Sequence, residues 1–250
     1  MHTDSSAASR RLCFGPPAPD ELLQAHRERV PRLDRVSSML DGSRILNGLS
    51  DDTAAALADL LPCLLCGEES AVQVFANEGN RVAGLLHQSA GSALFRIAAE
   101  EEYHEELLST LASRLPVARD LAARRRLSRR YFQRILSRDI GEHFARIAAL
   151  DSAVCIILGE LIQSRGSFPR ESTAFEIFSR IGGDEGRHVR FSRHYASALG
   201  VTRDGAAESF ELVRRGLVDL LRRCGDGFDA LAVDPDRLFR RLVRVPRSIF

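Results

Sequence analysis

The sequence contains neither lysine nor tryptophan, so arginine supplies all 35 of its basic side chains. The acidic residues number 34, and the net charge of +1 gives no excess of either sign that would favour nucleic acid or an anionic membrane. Basic runs such as residues 124–130 lack interleaved aromatic residues, which predicts a solvated helix face and not a nucleic-acid site. The use of arginine alone, with abundant alanine, is typical of a GC-rich bacterial genome.

Long apolar runs are also missing. No stretch approaches the roughly 20 residues that a membrane span requires, and the first residues lack the apolar core of a signal peptide. We therefore expect a cytoplasmic protein without a membrane partner. The five cysteines are an odd number without a dense framework, which fits reduced thiols. The closely spaced pair Cys63 and Cys66 has no second pair, so buried thiols are predicted there and not a zinc site.

No segment alternates in the manner of a β-strand, which predicts an all-α protein. Residues 1–20 are rich in Ser, Ala and Pro and are expected to be a disordered tail. Residues 21–200 are expected to form the helical bundle, and residues 201–250 a C-terminal helical extension that packs on it and is split at residues 225–228. Ser50 should cap a helix that Pro62 kinks or restarts, residues 87–92 should form a loop, and Gly200 should end a helix.

Two of the predicted helices carry a Glu-x-x-His motif on the stripe that should face the core. Glu101 and His104 interrupt one apolar series, and Glu185 and His188 interrupt another at the same spacing. Residues three and four apart share a helix face. A buried carboxylate is costly unless it is paired or binds a metal. A single motif would more often be a surface ion pair, but the matched pair predicts a metal site.

A site for two metals in a bundle needs a carboxylate from each of two further helices. In the second half of the chain, Asp151 and Glu185 lie about fourteen and sixteen residues from the loop at 166–169, so they should be level. Glu160 has the commoner ligand side chain but lies only about six residues from that loop, and it remains an alternative.

The first half of the chain offers Glu68, which continues the stripe of its own helix. Glu68 precedes Glu101 by 33 residues, and the corresponding separation in the second half is 34, which indicates an internal repeat of two helix pairs. Glu69 and Glu78 remain alternatives because the end of this helix is not defined by the sequence.

The order carboxylate, Glu-x-x-His, carboxylate, Glu-x-x-His over residues 60–195 resembles the ferritin-like di-iron carboxylate superfamily. The segment DEGRH at residues 184–188 also resembles the Asp-Glu-x-Arg-His of soluble acyl carrier protein desaturases. The resemblance implies a ferritin-like four-helix bundle with additional N- and C-terminal helices, and two iron ions, or manganese at one or both positions. The metal ligands that it implies are Glu68, Glu101, His104, Asp151, Glu185 and His188. Glu101 and Glu185 would bridge the ions, while Asp151 departs from the glutamate usual in the family.

Residues near these motifs have less defined roles. Asp184 and Arg187 are either surface charges or supports for a ligand histidine. Tyr103 and Tyr195 are expected to pack in the core. Three other histidines are expected to be structural or exposed, namely His87, His143 and His194.

The ligand set implies an O2-activating non-haem di-iron oxygenase or oxidase acting on a small organic substrate, such as those of specialised metabolism. Its electrons would come from an external ferredoxin- or flavin-type reductase, and a homodimer is compatible with the sequence. Two alternatives are a ferritin-like protein that oxidises and stores iron, and a non-catalytic helical bundle that binds a partner. Fold alone does not choose among these activities.

Overall fold

The computed structural model describes residues 49–85, 88–163, 168–170 and 172–244. In this part of the chain the secondary structure is helical throughout, without a strand, which confirms the all-α prediction. The predicted tail, any helix before residue 49, and His87 lie outside the described residues. The α-helices in chain order are α1 (Asp51–Leu85), α2 (Gln88–Ala112), α3 (Leu121–Arg134), α4 (Ile140–Gln163), α5 (Thr173–Ala198), α6 (Arg203–Leu221), α7 (Gly225–Ala230) and α8 (Pro235–Val243).

The start of α1 follows the sequence prediction, but its middle does not. The Ser50 hydroxyl accepts a hydrogen bond from the Thr53 amide at 3.2 Å, and two aspartates occupy the first turn. The helix then runs unbroken through Pro62, so the predicted restart is wrong. Proline removes one backbone donor, and the apolar residues that surround Pro62 in this buried segment hold both sides of it in one helix.

The predicted loop at residues 87–92 is also wrong, because α2 already begins at Gln88. Gly91 lies within α2, at a point where this helix touches α1, and not in a turn. A Cβ atom placed on it would lie 2.6 Å from the Gly79 carbonyl oxygen and 2.8 Å from the Ala83 Cβ atom. Its missing side chain therefore allows α1 and α2 to approach closely just after the short connection between them.

The bundle consists of two helix pairs, α1 with α2 and α4 with α5, which contact each other through α2 and α5. Helix α3 connects the pairs and packs on α1 and α6. Helix α5 ends as predicted: Gly200 has a φ of 83°, and the Val201 amide donates to the Ala196 carbonyl at 3.0 Å.

Two apolar clusters fill the bundle, one on each side of a polar layer. The larger cluster contains Leu61, Leu108, Leu158, Phe178 and Leu217, and the smaller one contains Phe75, Leu94, Phe144 and Tyr195. Helices α1, α2, α4 and α5 each contribute to both clusters. On α1, α2 and α5, the predicted acids and histidines lie between the segment that joins the larger cluster and the segment that joins the smaller one. These polar side chains are therefore enclosed by apolar layers.

The C-terminal helices pack on the bundle, with α6 and α8 against α4 and α7 against α1. Arg214 is 1% exposed and donates hydrogen bonds to the Ala149 carbonyl of α4 and the Leu242 carbonyl of α8. The segment predicted to split this region, residues 225–228, is itself part of α7. Among the described residues, no helix combines the length and apolar character needed to cross a membrane.

Candidate metal centre

The six acids and histidines predicted as ligands are all buried in the polar layer between the two apolar clusters. Four of them form a group whose ligand atoms all lie within 4.8 Å of one another: Glu68, Glu101, His104 and Glu185. This group could hold a metal ion. Asp151 lines the same cavity as the three glutamates of the group.

The two histidines use the same ring nitrogen towards the centre. Nδ1 of His104 lies 3.1 Å from Glu101 Oε2 and 3.9 Å from Glu185 Oε1. Nδ1 of His188 lies 2.9 Å from Glu101 Oε1 and 3.8 Å from Glu185 Oε2. Each glutamate of a Glu-x-x-His motif therefore turns one oxygen to each histidine. This is the arrangement that a carboxylate bridging two ions requires.

The other ring nitrogen of each histidine is held by an acid from the opposite helix. Nε2 of His104 on α2 lies 3.2 Å from Asp184 Oδ2 on α5. Nε2 of His188 on α5 lies 2.9 Å from Glu100 Oε2 on α2. With Nε2 donating to a carboxylate, Nδ1 is left as the nitrogen that can bind a cation.

Arginines complete this crossed network on its outer side. The guanidinium of Arg187 binds Asp184 Oδ1 at 2.6 Å and Glu100 Oε2 at 3.1 Å, so one cation links the two supporting acids. Each acid also pairs with an arginine four residues earlier on its own helix, Arg180 for Asp184 and Arg96 for Glu100. Asp184 therefore supports a histidine, as one of the two sequence interpretations proposed. The histidine is His104 on α2 and not His188 of its own motif.

Two buried polar atoms at the centre make no hydrogen bond, Asp151 Oδ2 and His188 Nδ1. The latter is close to Glu101 without the alignment of a hydrogen bond. Buried polar atoms without a partner are rare and costly. Both are good donors for a hard or borderline cation, and a set of carboxylates with imidazoles suits iron and manganese. The residues present therefore fit a metal centre.

Burial and mutual repulsion strongly shift the pKa values of the acids of the centre. Burial, with repulsion from Glu101, raises the pKa of Glu68 to about 8. Burial also raises the pKa values of Asp151 and Glu185 well above their usual range. Burial would raise the pKa of Glu101 too, but His188 and His104 hold it well below its usual range. A cation would relieve the repulsion among these carboxyl groups.

The pKa values of the two histidines are raised, although burial alone lowers the pKa of an imidazole. Burial, the largest single influence, would lower the pKa of His104, but hydrogen bonds to Asp184 and Glu101 raise it well above its usual range. Burial would also lower the pKa of His188, but the charge of Glu101 and a hydrogen bond to Glu100 raise it well above its usual range. Without a cation, these imidazolium groups are the positive charges that balance the buried acids.

The alternative ligands are all engaged elsewhere. Glu69 pairs with Arg125 on α3, and Glu160 is bound by Arg237 and Arg241 of α8. Glu78 receives hydrogen bonds from Arg81 at 2.6 Å and from His143 at 2.7 Å. Glu68 and Asp151, in contrast, face the buried centre.

The other residues singled out in the sequence have structural contacts. Tyr195 is buried and donates a hydrogen bond to the Ala90 carbonyl at 3.0 Å, as expected of a core tyrosine. Tyr103 is half-buried and packs against the larger apolar cluster. Cys63 and Cys66 are buried cysteines outside any disulfide, as predicted.

The sequence prediction overlooked Glu100, Arg96 and Arg180. Residues 96–104 read RIAAEEEYH and residues 180–188 read RIGGDEGRH, so Arg, Ile, an acid, Glu and His recur at the same five positions. This nine-residue repeat extends the Glu-x-x-His motif by the supporting acid and its arginine. It is the signal that could have identified Glu100 as the counterpart of Asp184.

Comparisons with protein-family models, with curated proteins and with solved structures find no match. The interpretation of the centre therefore depends on the residues and distances described above.

Proposed function

We propose that the chain is an O2-activating di-iron oxygenase or oxidase built on a ferritin-like four-helix bundle. Helices α1, α2, α4 and α5 would be the four helices of that bundle. The observation that carries the proposal is the crossed pair of motifs, in which Glu101 and Glu185 each turn one oxygen to each histidine. Glu101, Glu185, His104 and His188 would together hold the two ions.

The energetic cost of the centre supports a metal. Four carboxyl groups and two imidazoles are buried together, and replacing buried ion pairs by apolar residues is often neutral or stabilising. A bundle that only bound a partner would not require this cluster. Glu68 lies 3.6 Å from Nδ1 of His104 and would be a terminal ligand beside it. Asp151, which lines the same cavity as the three glutamates, would be the second terminal ligand.

Two iron ions would supply the redox chemistry, taking electrons from an external ferredoxin- or flavin-type reductase and passing them to O2. The remaining roles belong to the chain. Asp184 and Glu100 would fix the orientation and tautomer of the two histidines, and Arg187 would hold these acids in place. The apolar clusters on both sides would exclude bulk water from the reacting groups.

Anaerobic iron loading followed by exposure to O2 tests the proposal. We expect about two irons per chain, as in other bundles with this ligand set, and O2 consumption that stops unless reductant is supplied. His104→Ala and His188→Ala should each lower the iron content. His194→Ala is a matched control, because His194 packs on Tyr195 away from the centre.

The size of the loaded particle separates this activity from iron storage. A monomer or small oligomer that keeps about two irons per chain supports the oxygenase. A large shell that takes up many irons per chain would show a storage protein instead. Unchanged iron content in both histidine variants would contradict the metal assignment itself.

A further inference from the structure

Two small cavities lie end to end between α1, α3 and α4. The inner cavity has a volume of about 40 Å³ and includes the carboxylates of Glu68, Glu101, Asp151 and Glu185 in its lining. The outer cavity, of about 30 Å³, reaches Leu136, whose side chain is 47% exposed. The two cavities share part of their walls, including Asp151. Together they mark a path from the surface to the candidate metal centre.

The inner cavity is longer than the centre itself. Along α1 it extends from Glu68 one turn back to Leu64, and along α4 from Asp151 to Ile157, which is about 9 Å at the rise of an α-helix. Leu217 and Leu221 of α6 also line it. The two ions of the proposed function would lie among the four carboxyl groups, and the apolar residues of the lining would face whatever else the cavity holds.

The chemistry of the walls restricts what can enter. Apart from the four carboxyl groups and one buried thiol, the lining of the inner cavity is apolar. Among the residues that the structure describes, no basic side chain lines it, so an anionic group would enter without a counter-charge and beside the acids. Burying a charged or strongly hydrated group without a partner is costly. An uncharged apolar group meets no such cost.

Phe132 lies where the two cavities meet. It lines both of them and is the residue of α3 that reaches the inner one. Its position depends on Gly67 of α1, because a Cβ atom there would lie 3.3 Å from Phe132 Cζ. The neighbouring Tyr131 anchors α3 to α6 by donating a hydrogen bond to the Val213 carbonyl at 3.0 Å. The Phe132 ring is thus a buried side chain on a helix that is anchored at the neighbouring residue.

We propose that the inner cavity is the substrate site, that it takes a small uncharged apolar molecule or group, and that Phe132 sets the limit on its size. The proposal deepens the oxygenase function and rests on it. A cavity of 40 Å³ holds about three water molecules at roughly 10–15 Å³ each. A ring-sized molecule therefore requires the Phe132 side chain to turn aside or to be shortened.

Fluorobenzene binding, followed by 19F NMR, tests the size limit. Phe132→Ala should bind fluorobenzene at least about tenfold more tightly than the unaltered protein, which equals about 1.4 kcal/mol. Phe132→Leu should show a smaller gain, and it takes the place of the alanine variant if that variant does not fold. The control is Phe168→Ala, which removes the same atoms from a buried ring that packs on Phe178.

Manganese loading then locates the bound molecule. In the Phe132 variant, paramagnetic Mn²⁺ should broaden the fluorobenzene signal strongly relative to diamagnetic Zn²⁺, because the probe lies beside the metals. Any fluorobenzene bound by Phe168→Ala should show weaker broadening. Equal affinity in the Phe132 variants and the unaltered protein, or equal broadening in the Phe132 variants and the control, would overturn the proposal.

A metal-free experiment separates this inference from the proposed function. If the protein binds no Mn²⁺, the metal assignment fails, but the cavity is still tested by adding Val154→Phe to Phe132→Ala. Val154 lines the inner cavity and not the outer one. Loss of the gained fluorobenzene binding in the double variant supports the inner cavity as the site. Retained binding contradicts it.

Discussion

The crossed support of the two histidines makes an unusual prediction about Asp184. In sequence it precedes Glu185 and belongs to the motif of His188, but its carboxylate contacts Nε2 of His104 at 3.2 Å. Asp184→Ala should therefore weaken the metal position of His104, on the other helix. Loss of a carboxylate that orients a ligand histidine typically costs 10–100-fold in metal affinity. This corresponds to about 1.4–2.8 kcal/mol.

A double-mutant cycle measures this coupling. Metal affinities would be determined by competition with a chelator, using Mn²⁺ as the probe. In the His188→Ala background, which keeps the His104 position, Asp184→Ala should cause the full loss. In the His104→Ala background the same change should have little further effect, since its partner is already absent.

Glu100→Ala is the matched control, and it should give the reverse pattern because Glu100 contacts Nε2 of His188 at 2.9 Å. A small effect of each change on the other position is expected through Arg187, which binds both acids. If Asp184 instead couples to His188, each motif supports its own histidine and the crossed arrangement is wrong.

Three further predictions follow from the geometry. Burial raises the pKa of Glu68 to about 8, so its carboxyl holds a proton at pH 6.5 and metal binding should release protons. Because the pKa values of His104 and His188 are raised as well, apparent metal affinity should still be rising as the pH passes through 8. Calorimetry in buffers of different ionisation enthalpy measures the proton release, and its absence would contradict the prediction. Gly91→Ala should destabilise the protein by about 1–3 kcal/mol in urea unfolding, since its Cβ would meet the Gly79 carbonyl at 2.6 Å. The matched Gly84→Ala, with no atom within 4 Å of the added Cβ, should be stabilising by about 0.5–1 kcal/mol, and equal effects would refute the close-contact argument. Asp151→Asn should lower the metal content. Glu160→Gln should keep the metal but speed hydrogen exchange in α8, because Glu160 binds two arginines of that helix. The opposite result would mean that Glu160, and not Asp151, is the ligand on α4.

The sequence predicted the parts of the centre that depend on spacing within one helix. Glu101 with His104 and Glu185 with His188 share a face because they are three residues apart, and all four are buried as expected. Asp151 was predicted from its depth in a helix pair, and it does line the same cavity as the glutamates. These predictions needed only helical geometry and the cost of burying a charge.

The parts that depend on contacts between helices were not predicted. Spacing does not say which helix a side chain will reach, so the contact of Asp184 with His104 and the role of Glu100 were missed. The loop prediction at Gly91 fails because the sequence cannot distinguish a turn glycine from one that lets two helices approach. The predicted restart at Pro62 fails because tertiary packing on both sides outweighs the loss of one hydrogen bond.

The most direct test of the central claim is a crystal structure of the iron-loaded protein, with anomalous scattering used to locate the metals. Two iron peaks about 3.5–4 Å apart should lie between Glu101 and Glu185, with Nδ1 of His104 on one ion and Nδ1 of His188 on the other. Glu68 and Asp151 should complete the two ligand sets. A single peak, or iron bound outside this polar layer, would contradict the di-iron centre and the function proposed from it.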